Sequence, residues 1–468
     1  MAISSLGVGS SILTQDVLDQ LREADEAQFI RPVDLSITNE NDKKKALELV
    51  DANMTNLIDS IDALKTPLLY DERTTSVAGT SVEVTAAANT DIQDFTLDVV
   101  NLATKQIEQS GTFTSSTELI AAGMTVGNVG SMNLNIDGVD FAISYDSTTT
   151  LDDLKNSINS IAGDKVDATI VQISSGQFSL FISSADTGTT QDITLSDTTG
   201  DLLLADGLTA DTRLTSGLTA VQTGVDANFT FNGQAITRTS NNITDLIVGL
   251  DITLKEVGSS AVSVAQDREG IMTKIDSFVA KYNAAITELS KVTKSSTESE
   301  ERGIFSSEST IKSMKRALEN MFSSVGGGVG TMSDFGFDID KDGKMSVDKG
   351  ILNTKMDEDP TNVEAFFSGG MFTNADGTQT AVSGVFNEMS VTVGQYTTYN
   401  ATLDQFKDSI NDRISALEER KTSATERLDA KYEILAKQYA AYDAMIAKLN
   451  NASSMFTEMA NTSNDYNS

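Results

Sequence analysis

Apolar residues follow two rhythms along the chain. Near the N-terminus, Leu47, Val50, Met54, Leu57, Ile61, Leu64 and Leu68 alternate at spacings of three and four. That alternation puts them on one face of a helix as a narrow seam, the signature of coiled-coil packing. Lys43, Lys44, Lys45, Glu48, Asp51, Asp59 and Asp62 fall off the seam, which breaks at Thr66-Pro67. Toward the C-terminus the rhythm runs longer: Leu403, Phe406, Ile410, Ile414, Leu417, Ala424, Leu428, Tyr432, Leu435, Tyr439, Tyr442, Ile446 and Leu449 keep it, with Lys421 off pattern. No Pro or Gly interrupts residues 395–450. A helix of roughly 50 residues spans about 75 Å, so it is expected to pack on another long helix. The bland reading is a hairpin within the chain. The sharper one is that both seams stay incomplete in a single chain and are finished by partner subunits.

Between the seams the period shortens to two. Residues 73–265 are rich in Thr, Ser, Val, Ile and Gly and alternate, as in Asp94-Phe95-Thr96-Leu97-Asp98-Val99, which reads as strands separated by turns. Asp137-Gly138 between two apolar runs predicts a hairpin. Leu151, Leu154, Ile158 and Ile161 follow at helix spacing, with Thr149 or Thr150 as the cap. The same order is expected at Phe229–Ile236 and Ser240–Ile247, so two related hairpin-and-helix subdomains are predicted. Residues 162–222 carry no recognised pattern.

Helical spacing returns at Ile271–Val292 and near Ser309–Phe322, and Asp359-Pro360 predicts a helix start. Gly326-Gly327-Gly328-Val-Gly330 reads as a flexible joint, since no Lys-Ser/Thr follows to make a phosphate loop. The predicted class is α+β: a discontinuous helical coiled-coil leg from both chain ends, with inserted β-rich head domains. Its parts are terminal segments 1–45 and 431–468, a leg 46–72 and 269–430 with a hairpin near 335–348, an inner head 73–127 and 223–268, and an outer head 128–222.

Composition narrows the chemistry. In 468 residues, 34 Lys and Arg stand against 68 Asp and Glu, a formal charge of −34 that repels phosphate backbones and anionic lipid. Neither nucleic-acid binding nor membrane insertion is expected, and no apolar run reaches the roughly 18 residues of a transmembrane helix. The chain has no His, Cys or Trp, which removes Ser-His-Asp and Cys-His mechanisms, imidazole acid-base chemistry, Cys/His zinc sites and disulfides. The opening residues lack the basic and long apolar regions of a cleaved secretory signal. Asp338-Ile-Asp340-Lys-Asp342-Gly343 matches half an EF-hand loop, but its twelfth position is Lys349 rather than Glu. Phe337, Ile339, Met345 and Val347 around it read as a hairpin instead. Carboxylates are too abundant to single out an acid–base pair, so no enzyme, metal or cofactor is expected. Tyr432, Tyr439 and Tyr442 read as seam packing rather than ligand stacking. The tail Asn451–Ser468 is polar apart from Met455, Phe456, Met459 and Tyr466, and is expected to be disordered in the isolated chain.

Several stretches resemble one family. Ser4-Ser5-Leu6-Gly7-Val8-Gly9-Ser10, an acidic amphipathic stretch and Ile30-Arg31-Pro32 are similar to the N-terminus of the bacterial flagellar filament cap, or hook-associated protein 2, family; Ser5, Leu6, Gly7, Gly9, Ser10 and Pro32 carry that motif. The unit at 133–161 resembles a small module of flagellins and hook proteins. Phe229–Leu254 followed by Arg268–Leu289, and Asp359-Pro360 leading into Val363-Glu-Ala-Phe366-Phe367-Ser-Gly369, are similar to the family's C-terminal region. The parts occur in the family's order over almost the whole chain.

The resemblance implies a secreted, non-enzymatic assembly factor: a homo-oligomeric ring, usually a pentamer, at the distal tip of the flagellum. Helical legs would meet the filament tip while exported flagellin folds, inserts and is kept from loss beneath a β-rich plate. It also implies type III export, a cytosolic export chaperone on the C-terminal helix, contact with hook–filament junction proteins and, in some members, adhesion to host mucin. A chain with no Cys and 3 prolines can be threaded unfolded without disulfide traps or many slow isomerisations. Other readings fit parts of the pattern: a flagellin-like filament subunit, a surface adhesin binding host glycan, and an acidic intracellular coiled-coil scaffold.

Overall fold

The computed structural model describes residues 14–324 and 328–465. Helices and sheets are segregated, so the class is α+β. The chain forms two compact units, one from both chain ends (up to Leu69 and from Glu269) and one from Tyr70–Arg268. Ser5, Leu6, Gly7, Gly9 and Ser10 of the N-terminal motif, Gly326-Gly327 of the glycine joint and Tyr466 of the tail lie outside the described residues.

In the terminal unit, α1 (Gln15–Phe29) hands over to α2 (Arg31–Leu64) at Ile30. Pro32 sits in the first turn of α2, where the N–H it lacks would have no helical partner. Leu47, Val50, Met54, Leu57, Ile61 and Leu64 are each at most 2% exposed. This N-terminal seam is therefore sealed inside the chain, against the expectation that partners complete it. Leu68, beyond Pro67 in the single turn α3 (Leu68–Asp71), is exposed.

The second unit holds two cores. It runs through β1 (Arg73–Ala78), β2 (Val82–Ala86), β3 (Gln93–Asn101), β4 (Lys105–Gln109), β5 (Val129–Ile136), β6 (Val139–Asp146), α4 (Leu151–Ala162), β7 (Val166–Ser174), β8 (Gln177–Thr187) and β9 (Ile193–Asp197). It continues with β10 (Thr219–Gln222), β11 (Ala227–Phe231), β12 (Gln234–Arg238), β13 (Asn242–Ile243), β14 (Leu250–Leu254) and β15 (Gly258–Gln266). Sheets β1-β15-β3-β11-β12 and β13-β14-β2 share a core around Phe95, Leu97, Phe229, Ile252 and Val262. Sheets β10-β4-β8-β7 and β6-β5-β9, with α4, share another around Met132, Leu134, Ile143, Leu154 and Leu180. Entry to and exit from the second core lie side by side, bridged at Thr104 and Val225. The ends of the whole unit do the same, with Arg73 opposite Gln266 on β1 and β15.

Local chemistry explains these elements. Asp137 and Gly138 both take positive φ (52° and 72°), as a type I′ hairpin turn requires, and Asn232-Gly233 repeats it. The Thr150 hydroxyl accepts the Asp153 N–H while Asp153 accepts the Thr150 N–H, a capping box that starts α4. The second expected helix does not form. The Asn241 side chain bonds both the N–H and the C=O of Ala103 at 2.8 Å, and Ile243 pairs with Ile252, so Ser240–Ile247 is held without a helix. The expected division at 127–128 also moves. Phe113, Ile120, Ala121 and Met124 belong to the second core, so the chain crosses over near 102–104. Phe113 is fixed there by a reciprocal pair of 2.7 Å backbone bonds with Phe178, a single bridge that leaves no alternating pattern to read.

The terminal unit resumes with α5 (Arg268–Thr293), α6 (Ser309–Ser324), β16 (Phe337–Ile339), β17 (Met345–Val347), α7 (Lys349–Glu358), α8 (Pro360–Ser368), β18 (Gly370–Thr373), β19 (Gln379–Val382), α9 (Val385–Thr397) and α10 (Thr402–Asp465). Phe278 of α5 joins three of these elements, with ring centroids 5.2 Å from Phe386 and 6.5 Å from Phe337, and Phe386 lies 5.3 Å from Phe367. Asp359 caps α8 by accepting the Asn362 N–H. Asp340 accepts the N–H groups of Asp342 and Lys344, which makes the Asp-rich run the turn of the β16–β17 hairpin. α10 is 64 residues long and carries the expected disordered tail as helix to Asp465. α2 and α10 run unbroken through 45–46 and 430–431, where the sequence suggested divisions. Among the described residues no helix is long and apolar enough to cross a membrane.

Replacing Thr150 by Ala removes half the capping box and is expected to destabilise the Tyr70–Arg268 unit by about 1 kcal/mol, read as a lower urea midpoint. An unchanged midpoint would show that strand packing alone holds α4.

Candidate assembly surface

α10 runs antiparallel to α1 and α2, and charged rungs set the register. Arg413 Nε donates to Glu40 at 2.9 Å, Lys421 meets Asp34 at 2.7 Å, and Lys431 meets Asp25 at 2.6 Å. Leu18, Ile30, Ala424, Leu428 and Tyr432 form a buried cluster among these rungs, with Leu435, Ala436 and Tyr439 packed against it. The Lys421–Asp34 rung is exposed at both ends and adds little energy, and the Arg413 and Lys431 cations of the other two are partly exposed, so the cluster supplies most of the cohesion and the rungs choose the alignment.

The rungs perturb their own titration. Burial opposes the Glu40 charge, but hydrogen bonds from Lys43 and Arg413 outweigh it and hold the carboxyl below its usual range. The Lys431 ammonium and the Tyr432 hydroxyl, both donating to Asp25, lower that carboxyl as well. Burial, followed by its bond to Asp25, pushes the Tyr432 phenol up to about 12.

The structure divides the C-terminal seam. Leu403, Ile410 and Leu428 are buried; Phe406, whose ring lies 5.7 Å from Phe305, is half-buried, as are Ile414 and Leu417. Leu435, Tyr439 and Ile446 are also half-buried, but Tyr442 and Leu449 are 58% and 62% exposed. Around 443 the covered face of α10 has shifted by one position: Asp443 is buried and Tyr442 points out. Tyr442, Met445, Leu449 and Phe456 instead line an outward stripe with Ala452 between the last two. Its spacing of three and four was readable, though it was concealed by the polar residues around it. Pro32 is exposed in α2, away from the buried seam.

The family model described as Flagellar hook-associated protein 2 C-terminus matches residues 224–451, and the corresponding N-terminus model matches residues 10–106. The chain is 30% identical over 238 residues to the Flagellar hook-associated protein 2 of Helicobacter pylori (strain J99), covering 49% of this chain and only 35% of that relative. It is 25% identical over 470 residues to the Escherichia coli (strain K12) protein of that name, covering 98% of each. A crystal structure of the flagellar cap protein FliD D1-D2-D3 domains from Escherichia coli aligns with a TM-score of 0.59 at 22% identity, over 78% of this chain and 99% of that one. That last likeness is one of fold.

Two predictions separate the covered from the uncovered seam. Leu57→Ala, at a sealed position, is expected to cost about 2–5 kcal/mol, whereas Leu449→Ala, at an open one, is expected to stay within about 0.5 kcal/mol in the isolated chain. Equal effects in denaturant titrations would contradict the division. The pH response follows from the rungs. Asp25 and Glu40 ionise more readily when folded, so their contribution is complete above about pH 4 and lost as pH falls through their folded values. Tyr432 ionises less readily when folded, so its contribution is complete below about pH 10 and lost as pH rises toward 12. The melting temperature should fall on both sides, Asp25→Asn flattening the acid arm and Tyr432→Phe the alkaline one; arms unchanged by these variants would refute the assignment.

Proposed function

The chain belongs to the flagellar hook-associated protein 2 family, and from that membership we propose that it caps the distal end of a bacterial flagellar filament. The observation that carries this reading is the outward stripe of α10. Among the described residues, Tyr439 is the last α10 residue in the cluster shared with Leu18 of α1 and Ile30. Residues 440–465 extend beyond it for about 39 Å and turn Tyr442, Met445, Leu449 and Phe456 to the outside. A row of apolar side chains on a helix is stabilised when another surface removes it from water, by roughly 25 cal/mol per Å².

In this reading several copies form a homo-oligomeric ring, pentameric by the family resemblance, at the extracellular tip of the flagellum. Their α10 ends dock on the uppermost filament subunits, and flagellin arriving there folds and inserts without being lost. Before export, a cytosolic chaperone covers the same stripe. Hook–filament junction proteins are the neighbours met before the filament grows. The work is structural and calls for no catalytic residue, metal or cofactor.

Truncation after Ala440 tests it. The Tyr70–Arg268 unit is expected to keep its circular dichroism and urea midpoint, while the cells lose motility and release unpolymerised flagellin. Polymerised filaments from the truncated strain would contradict the reading.

A further inference from the structure

Along α10, Arg413, Arg420 and Arg427 recur every seven residues, and so do Asp412, Glu419, Glu426 and Glu433 one position earlier. A seven-residue repeat keeps one helix face, and neighbouring positions lie about 100° apart. α10 therefore carries two parallel charged stripes that face different directions at the same height.

The basic stripe walls two adjoining grooves of 410 and 370 Å³ between α10 and the α1–α2 pair, which meet at Arg420. Their floor is apolar, with Leu417, Ala424, Leu428 and Phe29, the last of these 50% exposed. The cations are incompletely used within the chain. Among the described residues, Arg413 Nη2 is buried with no hydrogen-bond partner, and Arg427 Nε donates to the Ser423 carbonyl of its own helix. Arg420 makes no ion pair among the described residues. The acidic stripe is exposed; only Glu433 is ion-paired there, with Lys437, among the described residues.

We propose that the basic groove of one copy receives the acidic stripe of α10 from a second copy. In a chain of net charge −34, like-charge repulsion disfavours most self-contacts, and this groove offers cations beside apolar surface that water leaves on docking. Because the two stripes differ, the contact is head-to-tail, and a contact of that kind makes a ring where the rotation from copy to copy closes. The inference rests on the capping reading for the existence of a ring and adds which surfaces join its members.

Sedimentation velocity of the full chain tests it. The wild type is expected to assemble, and R420E/R427E and, independently, E419R/E426R are expected to weaken assembly at least about tenfold. The quadruple exchange E419R/E426R/R420E/R427E is expected to restore it. Because the chain has no Cys, a second measurement is clean: E426C and R427C chains should form a disulfide-linked pair when mixed and not when each is alone. A wild type that stays monomeric, reversal variants that assemble normally, a quadruple variant that does not recover, or cross-linking of each Cys chain to itself would overturn the proposal. Normal assembly of the reversal variants would leave the capping reading standing, whereas polymerised filaments from the strain truncated after Ala440 would remove that reading instead.

Discussion

A long amphipathic helix cannot cover its own apolar seam, and the terminal unit is arranged around that constraint. α10 has 64 residues, and its cover comes from several elements in turn. α9 and α2 enclose its beginning, and α1 with the start of α2 encloses its middle. Past Tyr439 the described part of α1 ends, and a stripe of large side chains turns outward. Burying a Leu or Phe side chain is worth roughly 1.5–3 kcal/mol, so four such residues left in water favour association. Sealed seam and open stripe are thus two parts of one pattern, the first covered by this chain's described helices and the second turned outward while Asp443 stays buried.

The insertion scheme keeps that pattern intact. The Tyr70–Arg268 unit begins and ends on paired strands, Arg73 opposite Gln266, and within it the second core begins and ends at the Thr104–Val225 bridge. An insertion whose two ends meet adds a folded body without parting the elements it interrupts. Charge then sets alignment. The rungs at Glu40, Asp34 and Asp25 draw on α10 cations, while Arg420 and Arg427 remain for other contacts.

Much of the architecture was legible because short-range physics fixed it. The change of period from 3.5 to two separates helices from strands; Asp137-Gly138, Thr150 and Asp359-Pro360 punctuate it as their turn and capping chemistry requires. What was not legible depends on distant partners. Spacing shows that Leu47–Leu64 must be covered but not by what, and the cover is this chain's own α9 and α10. Ser240–Ile247 has a helix-like start, yet Asn241 is claimed by Ala103, far away in sequence. Tyr442 was misplaced for a geometric reason: an α-helix drifts about 20° per heptad from a strict 3.5 repeat. A seam extrapolated from Leu403 therefore slips from the covered face by Asp443. The expected disorder of Asn451–Asp465 confused polarity with lack of helix, although no Pro or Gly breaks that segment.

The central claim is that the last third of α10 is finished by another polypeptide. Amide hydrogen exchange of the full chain, free and bound to isolated flagellar filaments, addresses it directly. The account predicts that residues 410–439 are protected in both states, and that residues 442–460 exchange quickly when free and slowly when bound. Equal protection of the two segments in the free chain, or no change at 442–460 on binding, would contradict it.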